Sequence, residues 1–363
     1  MSNKSIVVIP AYEPPSSLIN YVNALIEGGV SNVIIVNDGS PKKYDGVFFE
    51  AQKIEGVTLL TYSKNQGKGY ALKYAFNYVK ENFDSSSVVV TADCDGQHTV
   101  KDVLSLANVA TNNTNALILG TRDFNNENVP RRSKFGNVNT RRMFRLVYGM
   151  NVTDTQTGLR AFSYSMLDDM LNISGTRFEY EMNVLICLFK KNVEFIETPI
   201  ETVYEEKAED VERRSHFKTF SDSFKVWSVL LRNVQTYLIA SILSFIVDIG
   251  IFAIFKFFVF NSIENVYLCD GLSVVTSRIA SSIFNYFLNY KYVFIGKGAS
   301  TIVRYYVLWC GILSTSCLFT LIFGTLLGLD TVVIKLIVDI ILALISYRIQ
   351  TVWVFPHGSK HKN

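Results

Sequence analysis

The 363 residues include 35 Lys and Arg against 32 Asp and Glu, a net charge of +3 that argues against a nucleic-acid binder, in a chain long enough for one or two domains with real cores. The charge is spread unevenly. The first 236 positions hold 53 charged residues, whereas the 119 from Tyr237 to Phe355 hold only 12, so the two parts answer to two solvents. Five scattered cysteines (Cys94, Cys187, Cys269, Cys310 and Cys317) offer neither a disulfide framework nor a zinc spacing.

The chain enters an apolar strand almost at once, at Ile6 to Ile9 before Pro10, with too short an apolar run for a cleaved signal peptide. The hydrophilic half is therefore expected to stay in the cytosol. Ser16 to Glu27 reads as a helix, and Val33 to Val36 as a second strand running into Asn37-Asp38-Gly39-Ser40. Thr58 to Tyr62 is a third strand, and Gly69 to Phe83 a helix. Ser87 to Thr91 is a fourth strand, followed at once by Asp93-Cys94-Asp95-Gly96. Leu117 to Gly120 is a further strand, ending in Thr121-Arg122-Asp123. A basic stretch follows (Arg131, Arg132, Lys134, Arg141, Arg142, Arg145), then Asp154-Thr155-Gln156-Thr157-Gly158, a helix at Glu179 to Lys190 and a strand near Val193 to Ile196. Short apolar strands alternating with helices predict an α/β layer with a mostly parallel sheet. In such sheets ligands bind beyond the carboxyl ends of the strands, where Asp38, Asp93 and Asp95 fall.

Four apolar runs follow, at 237–260, 272–294, 302–327 and 332–355, each matching the roughly 20 helical residues that cross a hydrocarbon core. Lys218, Lys225 and Arg232 precede the first run. Lys291, Lys297 and Arg304 sit between the second and third, and Lys360 and Lys362 in the tail; the other connections carry Glu264, Asp270 and Asp330. The positive-inside rule then places both termini in the cytoplasm. Asp248, Arg278, Lys335 and Asp339 within the runs are expensive in hydrocarbon unless paired or turned inward. Lys335 and Asp339 have the spacing of a pair on one helix. Arg278, with Asn285 and Asn289 near one face, is read as a helix contact or a lipid-phosphate contact. Ahead of the first run, Phe217, Phe220, Phe224, Trp227 and Leu231 recur at spacings of three and four, as in a helix lying in the membrane interface.

The sharpest local feature is Asp93-x-Asp95 after a strand. Two carboxylates at a pocket mouth suit Mg²⁺ or Mn²⁺, hard ions that prefer oxygen ligands and substrate phosphates. Gln97 is placed either to complete the metal shell or to orient a donor.

Here the residues resemble a known family. VVIPAYEP (Val7–Pro14), VNDGS (Val36–Ser40), NQGKGYAL (Asn65–Leu72), ADCDGQH (Ala92–His98), GTRDF (Gly120–Phe124) and DTQTGLRAF (Asp154–Phe162) occur in the order found in family 2 inverting glycosyltransferases of GT-A fold. Within these the chain looks like the dolichol- or polyprenyl-phosphate mannose and glucose synthases. The second half, through FNYFLNYKYVF (Phe284–Phe294), resembles GtrA-like four-span membrane domains. The resemblance implies a GT-A catalytic domain at 1–212, an interfacial amphipathic helix and linker at 213–236, and a GtrA-like four-span domain at 237–356.

By the same resemblance, Pro10, Tyr12, Glu13, Val36, Asp38 and Ala92 line the nucleoside pocket, with Asp38 accepting from the base and Lys68 near the nucleotide. Asp93, Asp95 and Gln97 handle metal and diphosphate. Arg122, Arg131 and Arg132 are candidates for the acceptor phosphate, and Asp154 for sugar hydroxyls or the organisation of the acceptor site. Arg213, Ser215 and Lys218 fall where the family has a basic loop over the donor diphosphate. Gln97-His98-Thr99 departs from the proline often found there, and His98 is expected to stand behind the ligands at most. The implied partners are a nucleotide-diphosphate sugar, UDP-linked in preference to GDP-mannose, and a polyprenyl phosphate. The implied setting is a bacterial or archaeal plasma membrane, with a homo-oligomer left open. Rival readings are a processive polysaccharide synthase, which lacks support because no QxxRW segment occurs, and a flippase or assembly role for the second half.

Overall fold

The computed structural model describes residues 5–124, 131–201, 219–294, 300–326 and 330–356, with the backbone alone at 131–133, 219–226, 324–326 and 331–332. The chain forms two compact units: one holds most of the chain up to Val229, the other Leu146–Gly149 and Leu230–His357.

In the first unit the elements run β1 (Ser5–Ala11), α1 (Ser17–Glu27), β2 (Asn32–Asp38), α2 (Asp45–Gln52), β3 (Val57–Tyr62), α3 (Lys68–Asn82), β4 (Val88–Thr91) and α4 (Val100–Asn112). There follow β5 (Ala116–Arg122), α5 (Arg131–Val147), β6 (Arg160–Ser163), α6 (Leu167–Asn172), α7 (Glu179–Lys190) and β7 (Glu194–Ile200). The strands form one sheet in the order β3-β2-β1-β4-β6-β5-β7. All neighbours are parallel except β6, which runs antiparallel between β4 and β5. The mostly parallel α/β sheet read from the sequence is thus present.

Ile6, Val7, Val8 and Ile9 are all fully buried, as expected of a central strand covered on both faces. Side chains alternate across a strand, so Val7 and Ile9 join Val33 and Ile35 in the core formed with Leu18 and Val22 of α1, Phe48 of α2, and Val103 and Leu106 of α4. The opposite face is covered by α3, on which α6 and α7 pack. The strand pattern does not single out β6, because four residues beginning with Arg160 carry little apolar periodicity. Position between two buried strands makes it a strand.

The second unit contains α8 (Thr219–Ile254) from Leu230 onward, α9 (Val266–Leu288), α10 (Ser300–Phe319) and α11 (Thr331–Ile349). Each is prolonged by a π-helical turn, at Phe255–Val259, Asn289–Val293, Thr320–Leu326 and Gln350–Val354. No break in α8 separates Trp227 and Leu231 from the first apolar run, so in place of an interfacial helix closing at 236 the structure has one helix. Arg213, Ser215, Phe217 and Lys218 lie outside the described residues.

The outward faces are apolar: Ile242, Phe245 and Ile249 of α8, Val275, Ile279 and Ile283 of α9, and Ile337, Ile341 and Leu344 of α11 are all exposed. Two stretches among the described residues are long and apolar enough to cross a membrane, Trp227–Val259 and Ser300–Phe323. On α9, Ser273, Ser277 and Ser281 are buried at four-residue spacing, a stripe of small residues that lets helices approach. Lys335 donates to Asp339 at 3.0 Å along one helix face, as their spacing predicts. Lys256 pairs with Asp270 at 2.7 Å.

Candidate active site

Because β1, β2, β4 and β5 are parallel, their carboxyl ends share one edge, which gathers Tyr12 and Glu13, Asp38, Asp93 to Gln97, and Arg122. The antiparallel β6 begins at that edge, so the preceding turn, Asp154 to Gly158, is delivered to the same place. This explains why a motif 60 residues downstream of Asp93 belongs to its site.

The centre is Asp93. Lys68 Nζ, at the first position of α3, donates to Asp93 Oδ1 at 2.7 Å and lies 2.9 Å from Glu181 Oε1 of α7. His98 Nε2 stands 3.3 Å from Asp93 Oδ2. Burial opposes the charged form of Asp93, but the Lys68 ammonium and His98 outweigh it and hold the carboxyl well below the usual carboxylate range. Burial likewise opposes the Lys68 ammonium; the two carboxylates outweigh it and hold the lysine above its ordinary value. Glu181 and Lys68 are therefore a supporting pair for Asp93. No local motif marks Glu181, whereas the helix around it is legible.

Asp95 behaves in the opposite way. Burial, then the neighbouring charge of Asp93, push its carboxyl above its ordinary value, and the Gln97 N–H, donating to Oδ1 at 3.1 Å, offsets part of this. Between the two aspartates, burial and their charges push the Cys94 thiol up to about 12, so it stays protonated and unreactive at neutral pH. Gly96 takes φ +73°, the left-handed turn that folds Gln97 back onto Asp95. The turn ends at Thr99, which caps α4 by accepting from Asp102 N–H at 3.1 Å while its hydroxyl donates to Asp102 at 2.8 Å.

The turn ahead of β6 is locked from below. Asp154 is fully buried, and Arg122 grips it with Nε at 2.7 Å and Nη2 at 3.1 Å, a two-pronged charge-assisted contact. Asn137 of α5 donates to Thr153 O at 2.9 Å and accepts from Thr155 N–H at 3.1 Å, fastening the basic helix to this turn. Thr91 Oγ1 donates to Gly158 O at 2.8 Å. A Cβ on Gly158 would collide with the carboxylate of Asp93, so a glycine here is what allows the two acidic turns to touch. The buried Arg160 donates to Thr157 O at 3.1 Å and Glu181 O at 2.9 Å, placing a cation beneath the cluster.

Asp154, fully buried, is held by Arg122, which spends two of its side-chain N–H groups on that carboxylate. Asp38 is also committed: its carboxylate accepts from Tyr62 OH at 2.9 Å, Gln66 N–H at 2.7 Å and Gly67 N–H at 2.9 Å. It therefore fixes the loop that presents Lys68, which leaves at most one of about four lone-pair positions for a base. Gly39 is needed beside it, since a Cβ there would strike the backbone of Lys64 and Asn65.

Pro10 and Val36 are register partners on the neighbouring strands β1 and β2, and the buried Ala92 N–H donates to Val8 O at 3.0 Å. Glu13 takes φ +53° and its N–H donates to Ser40 Oγ at 3.0 Å, tying the two loops together. Burial, then the hydrogen bond with Glu13, raise the Tyr12 hydroxyl. Arg131 and Arg132 open α5, and their side chains lie outside the description. Among the described residues no group of three or more His, Cys, Asp and Glu forms a ready metal cluster. The site nonetheless fits a divalent cation on chemical grounds. Asp93 is already balanced by Lys68, while Asp95 carries a disfavoured negative charge, and the available donors are hard oxygens.

Residues 6–173 match Glycosyl transferase family 2. The chain is 31% identical over 208 residues to an uncharacterized protein of Methanocaldococcus jannaschii, covering 55% of this chain and 82% of that one. It is 30% identical over 228 residues to the UDP-N-acetylglucosamine–dolichyl-phosphate N-acetylglucosaminyltransferase of Methanococcus voltae, covering 57% and 88%. A solved structure of glucosyl-3-phosphoglycerate synthase from Mycobacterium tuberculosis is a more distant likeness, 17% identical with a TM-score of 0.47, over 63% of this chain and 79% of that one. The α/β unit is that of a glycosyltransferase, and the chain belongs to glycosyl transferase family 2.

Proposed function

We propose that the chain transfers a hexose, with inversion, from a nucleotide-diphosphate sugar to a polyprenyl phosphate such as undecaprenyl or dolichyl phosphate. The observation that carries this reading is the pairing of the Asp93–Asp95 turn with a helical unit whose outer faces are apolar. The Methanococcus voltae relative, named for a UDP-sugar donor and a dolichyl-phosphate acceptor, supports a UDP-sugar over GDP-mannose and a lipid phosphate as acceptor.

In this reading a phosphate oxygen of the acceptor attacks the anomeric carbon while the bond from that carbon to the donor diphosphate breaks. The acceptor phosphate, with a second pKa near 6, is largely dianionic at pH 7 and needs no strong general base. The chain's task is then orientation and charge compensation. Asp95, with Asp93 and Gln97, would hold Mg²⁺ or Mn²⁺, which when bound offsets the charge of the leaving diphosphate. Lys68 and Glu181 keep Asp93 ionised and in place. Pro10, Tyr12, Glu13, Val36, Asp38 and Ala92 shape the nucleoside end. Arg131 and Arg132, and Arg213 and Lys218, supply cations for the acceptor phosphate and donor diphosphate respectively.

The helical unit is proposed to be a GtrA-like four-span anchor built from α8 to α11. By the positive-inside rule its loop charges favour a catalytic unit and both termini on the cytoplasmic side, and the proposed setting is a bacterial or archaeal plasma membrane. The domain limits 1–212, 213–236 and 237–356 are kept as part of this proposal, the middle segment running within α8 into the first span instead of ending in a helix of its own.

The test uses the full chain purified in detergent with labelled UDP-glucose, UDP-N-acetylglucosamine or GDP-mannose and polyprenyl phosphate. A metal-dependent, mild-acid-labile glycolipid is expected, fastest with a UDP-sugar. Folded protein that transfers from none of these donors would overturn the proposal.

A further inference from the structure

Asp38 and Tyr62 are register partners at the ends of the parallel strands β2 and β3, so both side chains leave the sheet on one face at its carboxyl edge. The Tyr62 hydroxyl and the Gln66 N–H both donate to Asp38 Oδ1, at 2.9 and 2.7 Å, and the Gly67 N–H donates to Oδ2 at 2.9 Å. Each carboxylate oxygen has two lone-pair positions, so Oδ1 is filled and Oδ2 keeps one.

The three donors are held in place. The Tyr62 ring stands edge-on to Tyr70 and Tyr74 of α3, with centroids 5.3 and 5.4 Å away, which fixes where its hydroxyl points. Gly67 takes φ +102° and lies so close to Thr176 and Arg177 that a Cβ would collide with both. Asp38 itself is 3% exposed, so a ligand reaches it at one point instead of along both oxygens.

Nucleoside bases differ in what they offer such a group. Guanine presents two N–H donors side by side, N1–H and the 2-amino group, which a carboxylate takes as a fork with one bond to each oxygen. Uracil presents one N–H between two carbonyl oxygens. Against Asp38, guanine would leave its amino group facing the filled Oδ1, and a buried donor without a partner is costly. The uracil N–H needs only Oδ2. Its carbonyl can lie beside Oδ1, because two donors already offset the charge of that oxygen.

We infer that Tyr62 sets the base specificity of the donor site, occupying the Asp38 oxygen that guanine needs and leaving the one position that a uracil N–H fills. Tyr62 is thus a positioning residue that acts through Asp38. The inference rests on the reading of this edge as the nucleoside end of a donor site.

The full chain in detergent with Mn²⁺ is titrated calorimetrically with UDP, GDP and inosine diphosphate, a purine nucleotide that lacks the 2-amino group. UDP is expected to bind about tenfold tighter than GDP, and inosine diphosphate severalfold tighter than GDP, as one unpaired buried donor requires. Tyr62→Phe frees a position on Oδ1; it should tighten GDP severalfold, place GDP ahead of inosine diphosphate and leave UDP within about threefold. The order in the parent is a test in its own right should the variant prove unstable. GDP binding as tightly as UDP, or more tightly than inosine diphosphate, in the parent would overturn the inference. So would a folded Tyr62→Phe that keeps the parent's order, and so would two purines that bind alike in both proteins, which would mean selection by ring size. Folded protein that binds none of the three nucleotides would remove the donor-site reading itself, and the inference with it.

Discussion

The turn after β4 and the turn ahead of β6 each set an aspartate against a cation, Lys68 on Asp93 and Arg122 on Asp154, both at 2.7 Å. Their surroundings differ. Asp154 is sealed, with a rigid guanidinium fork on it, whereas the Asp93 side chain is 35% exposed and has a second carboxylate, Asp95, two residues on. One turn is a fastening and the other a mouth. An acidic motif is therefore not a ligand site by composition; exposure and the surplus of negative charge decide.

The comparison breaks most visibly at Asp154. Asp154→Ala removes the buried carboxylate that Arg122 grips and should destabilise the α/β unit by about 3–5 kcal/mol, read from urea unfolding. A change within the noise would mean that the buried pair is not structural. Asp95→Asn should do the reverse, lowering turnover roughly 10²- to 10³-fold while keeping the fold.

The pH dependence sharpens this contrast. Asp95 has a folded pKa above its unfolded one, so the stability it contributes is present below the unfolded pKa and lost as pH rises through the folded pKa. Asp95→Asn should therefore gain melting temperature relative to the parent between pH 4 and pH 7. Mn²⁺ should stabilise the parent at pH 7 and not the variant. Asp93, with its pKa depressed, contributes stability above its unfolded pKa that is lost only as pH falls through its lower folded pKa, so the Lys68 pair outlasts the titration of Asp95. Equal melting curves for parent and variant across this range would remove the charge surplus on which the cation site depends.

Gly158→Ala tests whether the two turns must touch. Its methyl group displaces Asp93, and a loss of about 1–3 kcal/mol is expected in thermal melts together with reduced transfer. The smallest effect belongs to Thr99→Ala, which removes the cap of α4 and should lower stability by about 1 kcal/mol in the same melts, with transfer nearly intact.

Much of this was legible in the chain itself. The runs at Ile6, Val33, Thr58, Val88, Leu117 and Val193 all become strands, because apolar β-branched residues bounded by turn residues have few other ways to be buried. Asp93 and Asp95 could be placed at the functional edge for the same reason: a parallel sheet puts every strand end on one side. Arg160 and Glu181 were not legible, since a buried arginine in a four-residue strand and a glutamate inside a helix look like ordinary surface charge until something packs over them. His98 was read as standing behind the ligands; its ring lies 3.3 Å from the Asp93 carboxylate.

What the sequence determined by itself was the difference in polarity between the halves, the alternation of strands and helices, and the order of the acidic motifs, because these depend on local composition and period. The tertiary structure decided which aspartate is sealed and which is open, that Asp38 braces a loop, and that Ser244 and Asp248 of α8 bond to Asn285 and Ser281 of α9. Those outcomes depend on which charges and hydrogen-bond partners meet across 24 to 113 residues of chain, a distance that no local pattern encodes.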